Sequence, residues 1–131
     1  MGALKFYRCN ECGNLFLVLV DPSVVPTCCA HEMEELEPID PKQAEDCEEK
    51  HTPIIETSDN KAKVRIGGIH SHPMEAEHRI EWIIFVNGPR VDIQRLKLTS
   101  EPEAEFTIRH KDEKLYAYAF CNLHGLWESK R

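Results

Sequence analysis

The sequence predicts an all-β protein in two parts, a small metal-stapled β module followed by a larger antiparallel β-sandwich. Three observations predict it. Four of the six cysteines fall within the first 29 residues, short runs of alternating apolar and polar residues recur after residue 60, and no stretch carries the apolar period of an amphipathic helix.

The N-terminal module is assigned to residues 1–37. Lys5 to Arg8 reads as a short strand running into Cys9-Asn10-Glu11-Cys12-Gly13, a turn in which two thiolates can face one ion. Leu15 to Val20 reads as a second strand, and Asp21-Pro22-Ser23 as the turn that brings the chain back to Cys28-Cys29. Adjacent residues of an extended chain point to opposite sides, so Cys28 and Cys29 share an ion only if the backbone bends sharply there, as Pro26 upstream allows. A module below about 40 residues seldom holds together without a metal or disulfides. In a reducing compartment the cysteines are better read as metal ligands. Four thiolates suit zinc or a single iron, and the geometry alone does not choose between them.

Residues 38–50 are acidic and carry Pro38 and Pro41, which marks a linker with at most one helical turn over Pro41 to Glu49. Cys47 lies inside it without a neighbouring cysteine and reads as an incidental thiol. The sandwich is assigned to residues 51–131. Lys61 to Ile66 alternates through Ala62, Val64 and Ile66, and Ile80, Trp82, Ile84 and Val86 alternate with Glu81, Ile83 and Phe85. Asn87-Gly88-Pro89 marks a tight turn into a strand through Val91 and Ile93. Phe106 and Ile108 open another strand, and Leu115 to Phe120 forms the last one before the loop Cys121-Asn122-Leu123-His124-Gly125. Short strands at regular spacing argue for a sandwich.

Sixteen basic and 23 acidic residues give a net charge of −7, which argues against partnership with nucleic acid or an anionic membrane surface. The longest apolar run, Leu15 to Val20, is too short to span a membrane, and Arg8, Cys9, Asn10 and Glu11 interrupt any secretory leader pattern. A cytoplasmic location is expected. Six of the seven histidines lie at or after residue 51: His51, His70, His72, His78, His110 and His124. His51 precedes Thr52-Pro53, His72 precedes Pro73 and His78 opens a strand, so all three sit where irregular backbone lets side chains converge. Cys121 and His124, three residues apart before Gly125, can reach one ion from one loop. On spacing that ion is zinc or, with several imidazoles beside a single thiolate, a redox iron. His70 and His72 would share a side of an extended segment, and spacing does not separate them.

Two resemblances sharpen this reading. Tyr7-Arg8-Cys9-Asn10-Glu11-Cys12-Gly13-Asn14, with Cys28-Cys29 and the acidic tail after them, resembles the desulforedoxin module. That likeness implies one iron held by Cys9, Cys12, Cys28 and Cys29, with an auxiliary electron-transfer role. Glu49-Lys50-His51-Thr52-Pro53, His72-Pro73-Met74-Glu75-Ala76-Glu77-His78 with Ile80-Glu81-Trp82, and Cys121-Asn122-Leu123-His124-Gly125-Leu126-Trp127 resemble the neelaredoxin-type domain of superoxide reductases. The combination is that of the desulfoferrodoxin family. It implies an immunoglobulin-like antiparallel β-sandwich and a second mononuclear iron with four equatorial imidazoles, from His51, His72, His78 and His124, and an axial Cys121 thiolate. His72 is preferred over His70 because His-Pro-Met is the matching part, and His31, His70 and His110 are read as surface or supporting groups.

Five protein ligands leave an iron one position for a small anion. The expected reaction is one-electron reduction of superoxide to hydrogen peroxide at the ferrous ion, with electrons from rubredoxin or a similar donor. Lys50 is expected to supply the local cation that an anionic substrate needs in a chain of charge −7, and to help deliver a proton. Glu49 is expected to occupy the open position once the iron is ferric. The resemblance also implies a homodimer. Two other classes compete with this reading: a pure electron carrier, which gains nothing from an open position, and a zinc-stabilised module with no redox role.

Overall fold

The computed structural model describes residues 4–40, 51–68 and 71–131. The chain divides into two compact units, Met1–Glu37 and Pro38–Arg131. Among the described residues every regular element is a strand, and no helix is long and apolar enough to cross a membrane.

In the first unit β1 (Phe6–Arg8) lies between β2 (Leu15–Leu17) and β5 (Glu34–Leu36), both antiparallel to it. A second, two-stranded ladder pairs β3 (Thr27–Cys28) with β4 (His31–Glu32). The strand expected to reach Val20 ends at Leu17, and Leu19 and Val20 are exposed. The buried cluster of Tyr7, Cys9 and Met33, with Val18 and Cys28 against it, is very small. At about 1.5–3 kcal/mol per buried large apolar side chain it cannot offset the cost of ordering this stretch, so the unit depends on a staple.

The second unit is a sandwich of two antiparallel sheets. One has the order β10-β7-β6, built from β6 (Pro53–Ser58), β7 (Lys61–Ile66) and β10 (Glu103–Thr107). The other has the order β12-β11-β8-β9, built from β8 (Ile80–Asn87), β9 (Arg90–Arg95), β11 (Leu115–Cys121) and β12 (Gly125–Lys130). Among the described residues these are seven strands in the immunoglobulin-like manner, three against four, except that β9 pairs with β8 and so joins the sheet of β11 and β12 rather than that of β6, β7 and β10. β7 shows the expected alternation, with Ala62, Val64 and Ile66 at 0% exposure and Lys61 and Lys63 in solvent. Phe85 and Phe106 stack between the sheets at 5.0 Å.

β8 departs from the expected simple alternation. Ile80, Ile83 and Phe85 all belong to the core, so the inward face changes parity between Ile80 and Ile83. The cause is a register shift against β11 between Ala119 and Cys121, which leaves Cys121 opposite Ile80. Beyond β8, Gly88 at φ +61 is the first of the two loop residues and Pro89 the second, the pattern of a type II′ hairpin. β6 and β12 were not anticipated as strands. Ile39, expected to lie in a linker, forms a parallel bridge to Trp127, its N–H donating to Leu126 and its carbonyl accepting from Glu128. The helical turn expected over 41–49 and Cys47 lie outside the described residues.

Candidate metal centres

The cysteine site is built by two turns. The Cys9 N–H donates to the Asn14 carbonyl and Gly13 N–H to the Cys9 carbonyl, and Gly13 at φ +80 takes the left-handed conformation that closes the loop. Opposite it, Cys29 and Ala30 are the two loop residues of the β3–β4 hairpin, and both have positive φ, 54 and 64. This is the backbone pattern of a type I′ turn, usually reserved for Asn and Gly. It is the sharp bend that two adjacent cysteines require.

The sulfurs of Cys9, Cys12, Cys28 and Cys29 lie within 4.8 Å of one another. Cys12 and Cys28 are 3.5 Å apart, and Cys28 and Cys29 3.9 Å. Sulfurs about 2.3 Å from a shared tetrahedral ion sit about 3.8 Å apart, so the residues fit one such ion. Without it the thiols compete. The backbone N–H of Cys12, helped by that of Glu11, lowers Cys9 to about 7, while the thiols of Cys12, Cys9 and Cys28 push Cys29 up to about 12. Asn14 donates to the Cys28 sulfur at 3.5 Å. His31 is exposed and reaches Glu11 at 3.1 Å rather than the sulfurs.

The second site gathers side chains from three separate segments at one end of the sandwich. His51 is buried and stacks on Trp127, with centroids 4.8 Å apart and planes at 14°. Trp127 in turn donates its indole N–H to the His124 carbonyl at 3.2 Å. His72 is 2% exposed, and its Nδ1 lies 2.7 Å from the Pro73 carbonyl. A carbonyl only accepts, so the proton is on Nδ1 and the Nε2 lone pair is left to serve as a donor to metal. His78 precedes β8, while Cys121 and His124 flank the turn from β11 to β12, where Gly125 adopts φ +88.

The four imidazoles form a closed quadrilateral. Ring centroids along its edges are 4.8 Å (His51–His72), 4.6 Å (His72–His78), 5.0 Å (His78–His124) and 4.6 Å (His124–His51), with the planes crossing at 67–77°. The His51–His78 diagonal is 6.2 Å. His51 Nε2 and His124 Nδ1 are 2.9 Å apart, close to the roughly 3.0 Å between adjacent nitrogens bound at about 2.1 Å to one ion. Cys121 Sγ is 3.6 Å from His124 Nδ1. Donor atoms of His51, His78, Cys121 and His124 all fall within 4.8 Å of one another, and His72 stands outside that tight group while completing the ring of imidazoles. Burial pushes the Cys121 thiol up, against the backbone N–H groups of Leu123 and His124, which act to lower it. Neutral nitrogens around one soft sulfur fit a redox-active iron.

Glu49, Lys50 and His70 lie outside the described residues. The backbone of His110 is held by the buried Asn87, which donates to its carbonyl and accepts from its N–H, both at 2.8 Å. Sequence reasoning assigned no role to Trp127 or Asn122, although both stand within the Cys121–Trp127 block. An indole two residues after a turn glycine was the available signal for the first.

The comparisons with known proteins agree with this geometry. The family model described as Desulfoferrodoxin matches residues 43–130. A desulfoferrodoxin homolog of Archaeoglobus fulgidus is 38% identical over 126 residues, covering 96% of both chains. The desulfoferrodoxin of Nitratidesulfovibrio vulgaris is 37% identical and covers 96% of this chain and 95% of that one. Among solved structures, the superoxide reductase of Treponema pallidum superposes with a TM-score of 0.75 at 29% identity, covering 98% of this chain and 99% of the other. Two metal-fitting clusters, the seven-stranded sandwich and relatives matched along nearly their whole length lead to one conclusion: the chain belongs to the desulfoferrodoxin family.

Proposed function

We propose that the protein is a superoxide reductase holding two mononuclear irons, one in the cysteine cluster and one in the histidine and cysteine cluster. The observation that carries this reading is the closed ring of four imidazoles, with the Cys121 sulfur within 4.8 Å of donors from three of its corners. His51, His72, His78, His124 and Cys121 would hold ferrous iron there, which would supply one electron and a coordination position for a small anion. The overall reaction consumes one superoxide, one electron and two protons and yields one hydrogen peroxide.

The protein's own groups hold the site in a form suited to that reaction. Pro73 and Trp127 fix the His72 and His51 rings, so little reorganisation accompanies the change of charge. Burial pushes the Cys121 thiol up, and the N–H groups of Leu123 and His124 act against that, which helps its thiolate form in a buried setting. Lys50, next to His51 in sequence, would give the anion a local attraction and help deliver a proton, and Glu49 would take the open position once peroxide has left. An iron in the cysteine cluster would supply an auxiliary electron-transfer centre, with a rubredoxin-like protein as the electron donor. The working form is a cytoplasmic homodimer, where such a donor and reduced thiols coexist.

The test is stoichiometry. The reduced protein should form one catalase-detectable peroxide per superoxide consumed, with no oxygen released, and Lys50→Ala in the same assay should slow the reaction in a manner less sensitive to ionic strength. Half an equivalent of oxygen per superoxide would make it a dismutase instead. Zinc in both sites as purified would leave only a structural module.

A further inference from the structure

The segments that carry the second site are not joined by a regular ladder. β8 and β11 lose register between Ala119 and Cys121, which is where His78 on one side must be set against Cys121 and His124 on the other. Asn122 spans that break. Its backbone N–H donates to the Arg79 carbonyl at 3.2 Å, its Oδ1 accepts from the Arg79 N–H at 2.8 Å, and its Nδ2 donates to the Glu77 carbonyl at 3.0 Å. The three bonds fall on the residues immediately before and after His78. One side chain between two ligands on its own loop therefore grips the backbone on both sides of a third.

We propose that Asn122 is a positioning residue for the histidine and cysteine centre, fixing the His78 imidazole at its distance from Cys121 and His124. The residue type is specific to the task. Only a primary amide offers an acceptor for the Arg79 N–H and a donor for the Glu77 carbonyl on one short, planar group. Leucine or alanine there would leave the backbone of 77–79 to water, and aspartate would keep the acceptor but lose the donor. The Asn122 side chain is spent on the backbone of Glu77 and Arg79, so its effect is read in how the site holds metal and in the site's spectrum.

The inference rests on the reading that His78, Cys121 and His124 share one ion, and the experiment separates the two. The full-length protein and Asn122→Ala are loaded with ferrous iron and titrated with a competing chelator, while the thiolate-to-iron absorption of the oxidised form is recorded. Asn87→Ala serves as the comparison, because Asn87 is a buried amide that clamps residues 109–110 of the same sandwich by three bonds of the same kind. Loss of an orienting partner typically weakens metal binding about 10–100-fold. Asn122→Ala should show that loss and a shifted band with little change in thermal unfolding of the metal-free sandwich. Asn87→Ala should do the reverse, lowering unfolding temperature while leaving band and affinity in place. Asn122→Asp should fall between the alanine variant and the parent, and it decides the matter if Asn122→Ala does not fold. Wild-type affinity and an unmoved band in a folded Asn122 variant would overturn the positioning role alone. A parent protein that binds no iron at this site would overturn the shared-ion reading and the inference with it.

Discussion

Residues 9 to 29 supply every sulfur of the first site, whereas the second draws its donors from residues 51 to 124. The contrast follows from what each fold can provide. A 37-residue unit in which only Phe6, Tyr7, Cys9 and Met33 are buried apolar residues among those described has no scaffold to spare, so turns place its ligands and the ion holds the turns. The sandwich has a core of its own, from Ile55 to Cys121, and its metal is an addition to a surface already organised. Four like donors around a tetrahedral ion leave no place for a reactant. Four imidazoles in a ring, with a thiolate beside it, leave a face.

The difference is tested most severely at Cys121, which belongs at once to the core and to the site. Cys121→Ser is nearly isosteric, so the sandwich should stay folded while thiolate-to-iron absorption at the second site disappears. Superoxide reduction should fall ~100-fold or more, at the upper end of what metal-site substitutions cost. The absorption of the cysteine iron serves as the internal reference and should be unchanged. A variant that retains the second-site band would overturn the assignment of Cys121 as the ligand that produces it.

How far the two sites were legible in the sequence follows the same contrast. Cys9, Cys12, Cys28 and Cys29 are readable because their geometry is local, and the requirement for a bend at Cys28-Cys29 appears as two successive left-handed residues. The strand around Val64 was readable from alternation, β8 was readable as a strand although its inward face changes parity after Ile80, and Leu115 to Phe120 was readable as an apolar run before the ligand loop. β12 was not, because it starts inside the ligand loop, with Leu126 and Trp127 buried in succession and period two hidden. β6 opens on a proline and carries only two inward residues before turning polar. The imidazole ring could be expected as a set from family likeness, but no spacing rule encodes Asn122 gripping 77 and 79 across a register break, since that contact exists only once β8 and β11 pair.

Proton release should distinguish the sites by a smaller amount. The sulfurs of Cys28 and Cys29 are both held above the ordinary thiol value in the metal-free cluster, for Cys29 at about 12, so binding an ion at pH 8 must expel a proton from each. At the second site Cys121, whose thiol burial pushes up, is the single thiol that must lose its proton to serve as a ligand. Binding that expels protons is favoured as pH rises, so affinity at the cysteine cluster should climb more steeply between pH 7 and 9. Calorimetry in buffers of different ionisation enthalpy should find about two or more protons for the cysteine site and about one for the other. Equal numbers would mean that the metal-free cluster already holds thiolates.

The smallest expected effect concerns the strained hairpin that makes the first site possible. Ala30 at φ +64 carries a Cβ in a region that costs an L-residue roughly 1–2 kcal/mol. Ala30→Gly removes that strain but enlarges the unfolded ensemble by about 0.4–1 kcal/mol. The net gain is about 0–1.6 kcal/mol, visible as slower iron loss to a chelator from the cysteine site and no change at the histidine site. Faster loss would mean that the Ala30 methyl packs usefully against the hairpin, so that the turn is held by contacts rather than tolerated for its ligands.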